Sequence, residues 1–402
     1  MSRPPNEPDV SRPPVTADVA PPQVQNKRLK DRAAELRAYT MLFALVAIWL
    51  YFHYSTGGVF LSARNFSNLM LQTAVTGVLA VGMLMVIVAG QIDLSVGSMV
   101  GLTGGISAVV LTWLGWGLVP SLAAAILIGL MIGALQGALV AYANIPAFIV
   151  TLGGLLAWRG VILGISKGQT IPISQQLYRS IGQCFVAPYA GWVLAGLAVA
   201  LVAWLALARN RARARYGLET SSAASLTLMI VIPSAAILVF VYVLNSYAGV
   251  PIPVMILLVV ALAGWFITQN TTFGRYLYAI GGNPDAARLS GISLRKHILS
   301  VFCLMGALAG VASIIYTARV ASASPDAGNL LELDAIAACV IGGTSLMGGR
   351  GTVYGACLGA LIMASLDNGM SLKSVEPYVQ SIIKGAVLVA AVGFDMLGRR
   401  RS

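Results

Sequence analysis

The sequence predicts an all-α, polytopic integral membrane protein with about 10 to 12 transmembrane helices. Composition is the first observation behind this prediction: 58% of the residues are hydrophobic and only 10% are charged, whereas soluble domains carry about 25% charged residues. The length of the uncharged runs is the second. No charge occurs from Phe66 to Gly90 or from Leu94 to Trp158, and about 20 apolar residues are enough for a helix to cross the bilayer core.

The N-terminal part differs from the rest of the chain. Residues 1–26 contain seven prolines and few large apolar residues, which predicts a disordered tail. In residues 27–38, apolar positions recur at helical spacing among basic ones. This pattern fits a basic amphipathic helix on the membrane surface, and equally a solvated charged segment. We therefore predict a cytoplasmic tail over residues 1–37 and a transmembrane domain over residues 38–398.

Twelve apolar stretches are candidate spans. In order they are residues 39–54, 66–90, 94–114, 119–142, 147–165, 192–208, 226–245, 252–269, 298–318, 334–347, 353–370 and 378–396. The fifth and the tenth are short or interrupted by glycine, which is why the predicted number is a range.

Lys and Arg are unevenly distributed between the connecting segments. With a cytoplasmic N-terminus, alternation of the spans puts four basic segments on that side: residues 1–38, Arg209–Arg215, the loop 270–297 and residues 399–401. They hold 18 of the 26 Lys and Arg residues, against five in the opposite loops. Cytoplasmic loops of membrane proteins carry such an excess. We predict both termini in the cytoplasm, and membrane lipid rather than nucleic acid around this protein of net charge +12.

Glycines recur at four-residue spacing in three of the predicted spans. They are Gly129, Gly133 and Gly137, then Gly306 and Gly310, and finally Gly351, Gly355 and Gly359. Small residues at this spacing form grooves that let helix backbones approach closely in lipid. The pattern predicts close helix packing, which a single-span anchor would not need.

The sequence contains no recognisable catalytic centre. The phosphate-binding pattern GxxxxGK[ST] is absent, there are two histidines, and no paired-carboxylate or Ser–His–Asp set can be identified. The four cysteines lack metal-ligand spacing, and three lie in apolar runs, where cysteine behaves as a small hydrophobe. We predict no cofactor, no metal and no enzymatic activity. Any ATP that drives this protein must be hydrolysed by another polypeptide.

The loop 270–297 is predicted to contain a short exposed helix. Asn283 can cap it, Pro284 suits its first turn, and Asp285 suits the helix dipole. A small apolar surface follows and ends at Gly291; it consists of Ala286, Ala287 and Leu289. Such a helix can dock into a groove of a partner, although an ordinary amphipathic loop helix has the same pattern.

Four segments, in order, resemble bacterial ABC importer permeases of the monosaccharide (ribose, xylose, arabinose) branch. DAARLSG, at residues 285–291, is similar to their coupling motif E-A-A-x-x-x-G, although Asp replaces Glu and the usual I-x-L-P ending is missing. The other three are G-x-I-D-L-S-V-G-S at residues 90–98, P-x-F-I-x-T-L-G at residues 146–153, and a Gly-rich segment at residues 340–356. The segment TLGGLLAWRGV and the length look most like the D-xylose permease subgroup.

The resemblance implies a division of labour between subunits. Two copies of the permease, a homodimer, would form the pathway in the bacterial inner (plasma) membrane, and a periplasmic binding protein would deliver the sugar. An ABC ATPase subunit in the cytoplasm would dock on the coupling helix of this permease domain. The residues that the resemblance assigns to this ATPase coupling are Asn283, Asp285, Ala286, Ala287 and Gly291.

Several functions stay open at this point. D-xylose is the expected solute, and ribose, galactose or another small solute on the same scaffold is the alternative. A self-contained secondary transporter is a second class, which the scarcity of intramembrane carboxylates disfavours. A membrane-embedded enzyme is a third class, and the lack of a catalytic cluster disfavours it.

Asp93 stands where two apolar runs meet, in AGQIDLSVGSM. It precedes a helical run, so it can cap the helix that begins there, as interrupted spans in transporters require. It can also present its carboxylate to the pathway, because carboxylates within the membrane are often functional. The residues predicted to line the pathway are Gln91, Asp93, Ser95, Ser98, Thr151 and Arg350. Arg350 belongs to a second, Gly-rich interruption between Ile341 and Tyr354.

Overall fold

The structure, a computed structural model, describes residues 24–217 and 222–399. Side chains are described for residues 40–217, 222–393 and 396. Most of the tail predicted to be disordered lies outside the described residues. The predicted amphipathic segment 27–38 belongs to a helix that begins at Val24, and its side chains lie outside the description.

The described chain is almost entirely helical. The helices are α1 (Val24–Ser55), α2 (Ala63–Val88), α3 (Val96–Ala108), α4 (Leu118–Ala141), α5 (Ala147–Ser166), α6 (Gln176–Gln183), α7 (Pro188–Arg215), α8 (Ala223–Asn245), α9 (Ile252–Asn270), α10 (Thr272–Gly282), α11 (Pro284–Leu289), α12 (Leu294–Val320), α13 (Leu331–Ile341), α14 (Val353–Leu372) and α15 (Pro377–Arg399). A π-helical segment, Val109–Trp113, extends α3. Four two-residue strands form two antiparallel pairs, β1 (Ile171–Pro172) with β4 (Ser322–Ala323) and β2 (Phe185–Val186) with β3 (Val250–Pro251).

Within the described residues, nine helices are long and apolar enough to cross a membrane. They are α2, α3 with its π-helical extension, α4, α5, α7, α8, α9, α12 and α14. Two shorter apolar stretches, Thr40–Ser55 and Pro377–Gly393, match the first and the last predicted spans. The predicted class, an all-α polytopic membrane protein, is confirmed. The tenth predicted span, 334–347, is helical only as far as Ile341, where α13 ends after 11 residues.

Helix α2 lies at the centre of the bundle. Nearly every residue from Asn65 to Val88 is buried, and α2 contacts α9, α12, α13 and α14. In contrast, α7 and α8 expose most of their apolar side chains, as helices that face lipid do. The centre of the bundle is therefore built from α2 and its neighbours, and all the irregular segments described below adjoin it.

The predicted glycine grooves hold two pairs of helices together. A Cβ atom on Gly133 of α4 would lie 2.1 Å from the carbonyl oxygen of Phe302 on α12. A Cβ atom on Gly359 of α14 would lie 1.9 Å from the carbonyl oxygen of Ala338 on α13. Neither site has room for a side chain, so the predicted close packing is confirmed.

The two ends of α2 mark two faces of the bundle. At one end, the N–H of Gly349 donates to the carbonyl of Val88 (2.9 Å); the surrounding residues 271–293 and 342–352 are termed the α11 face. At the other end, Asn65 donates to Asn368 at the end of α14 (2.8 Å). This second end is termed the opposite face. Because α2 has 26 residues, the two faces are about 39 Å apart.

Candidate functional site

A closed hydrogen-bond cluster stabilises the first break, the irregular backbone of residues 89–95 between α2 and α3. Asp93 Oδ1 accepts hydrogen bonds from the N–H (2.8 Å) and the hydroxyl (2.6 Å) of Ser95. The Ser95 oxygen accepts from Nε2 of Gln136 on α4 (2.8 Å). All three side chains are almost completely buried. The cluster therefore ties the first break to α4.

The predicted position of Asp93 relative to the helix start is wrong. Helix α3 begins at Val96, its N-cap residue is Ser95, and the Ser95 side chain makes no capping hydrogen bond. The physical reason is that the Ser95 hydroxyl already donates a hydrogen bond to Asp93 and accepts one from Gln136. Asp93 still satisfies a backbone N–H just before the helix, so the expected chemistry is present two residues before the N-cap.

Two further predicted pathway residues lie beside this cluster. The Ser98 hydroxyl donates to the carbonyl of Ser95 (2.7 Å), and the Thr151 hydroxyl on α5 lies 3.4 Å from the carbonyl oxygen of Ile92. Gln91 is partly exposed at the edge of the break. The structure therefore gathers four of the six predicted residues at the start of α3, in tightly packed surroundings.

A glycine of α5 shows how tight this packing is. A Cβ atom on Gly154 would lie 2.2 Å from Nε2 of Gln136 and 3.2 Å from Cβ of Ser95. On the neighbouring Gly153 it would meet no atom within 4 Å. Helix α5 can therefore pack directly against the Asp93 cluster because residue 154 is a glycine.

Arg350 lies in the second break, residues 342–352, and not with the Asp93 cluster. The predicted interruption is present, since α13 ends at Ile341 and α14 begins at Val353. The Arg350 side chain is exposed and lines a cavity of 370 Å³ with Gly281, Gly282 and Met347 among others. This cavity lies on the α11 face, next to the end of α10.

The end of α10 lies against the backbone of the last residue of α2, just before the first break, and against the backbone of the second break. A Cβ atom on Gly281 would lie 1.8 Å from the carbonyl oxygen of Val88 and 2.6 Å from the nitrogen of Gly349. One turn earlier, the Tyr278 hydroxyl donates to the carbonyl of Gly351 (2.8 Å). The three segments meet without intervening side chains, and this meeting point is termed the glycine junction (Val88, Gly281 and Gly349).

Helix α11 has the predicted local structure. The Asn283 side chain accepts a hydrogen bond from the N–H of Ala286 (3.0 Å), and Pro284 occupies the first turn. Gly291, just after the helix, has φ of +79°, a conformation that glycine adopts without steric cost. The expected capped helix is confirmed.

The three residues expected to form a small apolar surface on α11 do not all face outward. Ala287 is buried, whereas Leu289 is 87% exposed. Asp285 and Arg288 are exposed, and Arg288 Nη2 lies 3.6 Å from Asp285 Oδ1. The helix is therefore anchored through one alanine and presents one leucine and a charge pair outward.

A third irregular segment, residues 321–330, lies between α12 and α13; the sequence predicted an ordinary loop between two spans here and not its contact with α5. Arg159 on α5 donates to the carbonyl oxygens of Pro325 and Ala327. Because Arg159 lies past the middle of a 20-residue helix, the segment extends among the spanning helices, where carbonyls need such partners. The signal in the sequence was Pro325 followed by Gly328.

A charged triad joins α13, α14 and α15. Lys384 Nζ lies 3.0 Å from Asp334 Oδ2 and 2.8 Å from Asp367 Oδ2. Sequence reasoning did not foresee that one lysine pairs with both carboxylates. An opposite charge is what a buried carboxylate needs in surroundings of low dielectric constant. Lys384 therefore supplies the positive charge that stabilises both Asp334 and Asp367.

Comparison with known proteins identifies the family of the chain. The model of a family described as "Branched-chain amino acid transport system / permease component" matches residues 65–212 and 212–392. The xylose transport system permease protein XylH of Escherichia coli K12 is 46% identical over 372 residues, which cover 92% of this chain and 94% of that protein. XylH of Haemophilus influenzae is also 46% identical and covers 92% and 99% of the two chains. The ribose import permease protein RbsC of E. coli K12 is 36% identical and covers 84% and 87%. No solved structure matches the chain.

Proposed function

The chain belongs to this family of transport permease components, and from that premise we propose that it is the transmembrane subunit of an ATP-driven monosaccharide importer. D-xylose is the proposed sugar, because the proteins named as xylose permeases share 46% of their residues with it and those named as ribose permeases share 36%. The chain is a transport subunit and not itself an enzyme. Ribose is the second candidate sugar, because of the 36% identity to the ribose import permease protein.

The proposed location is the bacterial inner membrane, with the α11 face in the cytoplasm. The concentration of Lys and Arg supports this orientation. Helix α7 carries Arg213 and Arg215 in its last turn, and Arg288 and Arg295 lie beside α11. On this orientation the opposite face receives the sugar from a periplasmic binding protein, and both termini lie in the cytoplasm.

Helix α11 is the proposed contact for a separate ATPase subunit. Its exposed Leu289 and its charge pair offer one apolar anchor with polar surroundings, which is the composition of a protein contact. Anchoring through Ala287 and capping by Asn283 keep the helix rigid. A second copy of the permease completes the proposed assembly, a homodimer surrounded by membrane lipid.

The glycine junction supplies a route from α11 to the spans. Helix α11 directly follows α10, and Gly281 of α10 contacts both Val88, before the first break, and Gly349, in the second break. A displacement of α11 would reach both breaks through backbone atoms that have no space to absorb it. Such rigid-body transmission is one way in which transporters alternate between access states.

The observation that carries the proposal is the exposed, capped α11 that directly follows α10, whose Gly281 lies against the residue before the first break and against the second break. Its test is assembly of the full chain with its ATPase. Leu289→Glu should reduce ATPase co-purification by more than tenfold, since it places a charge at the apolar anchor. Asp285→Lys and Gly291→Trp should have the same effect without preventing membrane insertion.

Leu177→Glu is the matched control. Leu177 is also a highly exposed leucine on a short helix, α6, away from the α11 face. Full ATPase recovery with all three α11 variants would show that the ATPase docks elsewhere.

The transport function has its own measurement. Proteoliposomes that contain the chain, the ATPase and the binding protein should accumulate D-xylose only when ATP is supplied. Accumulation by the chain alone, driven by an ion gradient, would instead establish a secondary transporter.

A further inference from the structure

A cavity of 470 Å³ lies at the opposite face, around the first turns of α2. Its volume is in the range of small-molecule sites, about 300–1,000 Å³. Its wall combines polar side chains of α2 with two aromatic rings from other segments: Arg64, Asn65, Ser67, Asn68, Phe185 and Tyr247. It is separate from the Asp93 cluster, because it adjoins the other end of α2.

Ser67 provides the sign that this wall is prepared for a ligand. The residue is 1% exposed, and within the described chain its hydroxyl has no hydrogen-bond partner. Buried serines in helices normally bond to a carbonyl one turn earlier, as Thr73 on the same helix does to Leu69 (2.9 Å). A buried hydroxyl without a partner is costly, so a group that enters the cavity has a hydrogen bond to gain.

The neighbouring amides offer complementary hydrogen-bonding groups. Both amide hydrogens of Asn65 are used, one toward the carbonyl of Phe60 and one toward Asn368 Oδ1, each at 2.8 Å. This fixes the side chain and leaves its carbonyl oxygen as an acceptor. Asn68 is exposed and offers both a donor and an acceptor. Donors and acceptors in alternation suit a ligand rich in hydroxyl groups, each of which donates and accepts.

The aromatic side of the cavity is rigid and apolar. The rings of Phe185 and Tyr247 are 6.0 Å apart and nearly perpendicular. The β2–β3 pair holds Phe185 in place, opposite Pro251. Such rings can cover the C–H face of a sugar, while the polar side binds its hydroxyls. Arg64 is the one charged residue of the wall, which leaves the site suited to a neutral or an acidic ligand and not to a cation.

We propose that this cavity is a binding site for a neutral monosaccharide on the receiving side of the permease. The inference rests on the proposed function, and it adds a site where sugar is held before it reaches the breaks. Four neutral polar residues (the two asparagines, Ser62 and Ser67) against one arginine favour a neutral sugar over a sugar acid.

The experiment uses the full chain in lipid nanodiscs, with D-xylose as the probe and saturation-transfer NMR as the readout of weak binding. The wild-type chain should bind D-xylose saturably. Ser67→Ala and Asn68→Ala should each weaken binding by about fivefold, the effect of one lost hydrogen bond. Asn270→Ala, an exposed asparagine at the end of α9 on the other face, should leave binding unchanged.

Three results would overturn the site: no saturable binding by the wild-type chain, wild-type affinity for D-xylose in both cavity variants, or binding of D-xylonate in preference to D-xylose. ATP-driven uptake by the complete assembly separates this failure from failure of the proposed function. Uptake of D-xylose without binding at the cavity would refute only the proposed binding site. Absence of any sugar uptake would refute the proposed function and, with it, the binding site.

Discussion

The two breaks interrupt spans in the same bundle, but they are stabilised in different ways. The first break is closed by side chains, with Asp93, Ser95 and Gln136 in one buried hydrogen-bond cluster. The second break is closed by backbone contacts at glycines, and Met347 and Arg350 remain exposed there. A side-chain cluster fixes its own surroundings, here α4 and α5, whereas a backbone contact couples to the helix that touches it, here α10. We infer that the first break is a fixed point and that the second break follows α11.

The largest effect in this comparison is expected at the glycine junction. Gly281→Ala places a methyl group 1.8 Å from the carbonyl oxygen of Val88, so α10 must move away from both breaks. Such overpacking costs about 1–3 kcal/mol. ATP-driven uptake should fall more than tenfold while the ATPase still co-purifies, because α11 itself is unchanged.

Gly282→Ala is the control for this variant. The neighbouring glycine belongs to the same helix, and a Cβ atom there would meet nothing within 4 Å. Uptake within twofold of wild type is expected. If both alanines reduce uptake equally, the junction does not transmit motion.

An intermediate effect is expected at the first break. Asp93→Ala leaves the N–H of Ser95 buried without its acceptor, which costs about 1–3 kcal/mol. Asp93→Asn keeps an oxygen at the Oδ1 position and should recover most of this stability. The measurement is the unfolding midpoint of the purified chain in detergent, together with uptake.

The asparagine variant also separates the two roles predicted for Asp93. If Asp93 only stabilises the break, uptake by Asp93→Asn should be nearly normal. Normal stability with uptake reduced tenfold or more would instead assign the carboxylate to the pathway, and the first break could not then be a passive fixed point.

Features with a local cause could be read from the sequence. Helix α11 depends on Asn283, Pro284 and Gly291, which act on their own neighbours, and the second break depends on consecutive glycines. The long apolar runs specify spans through length and composition alone. Each of these predictions needed no knowledge of what lies across the bundle.

Contacts between distant residues could not be predicted in this way. Ser95 meets Gln136 across 41 positions, Arg159 meets Pro325 across 166, and Lys384 meets Asp334 across 50. Nothing in the local pattern selects one polar partner among the several that each helix offers, because the choice is made by helix packing. The candidate residues were therefore identified more reliably than their grouping, as the separation of Arg350 from Asp93 illustrates.

The smallest effect is expected at Tyr278, which supports the junction from one turn away. Burial raises the pKa of the Tyr278 hydroxyl, so the group keeps its proton at neutral pH and donates to the carbonyl of Gly351. Tyr278→Phe removes this hydrogen bond, worth about 0.5–1.5 kcal/mol, together with a longer one that the hydroxyl accepts from Gln269 (3.4 Å). It leaves the backbone contacts at Gly281 intact. Uptake should fall about two- to fivefold. Tyr276→Phe on the same helix is the control, since no hydrogen bond of its hydroxyl is found in the described chain, and it should have no effect. If Tyr278→Phe is as damaging as Gly281→Ala, the second break is held by side chains, like the first, and the distinction between the two breaks fails.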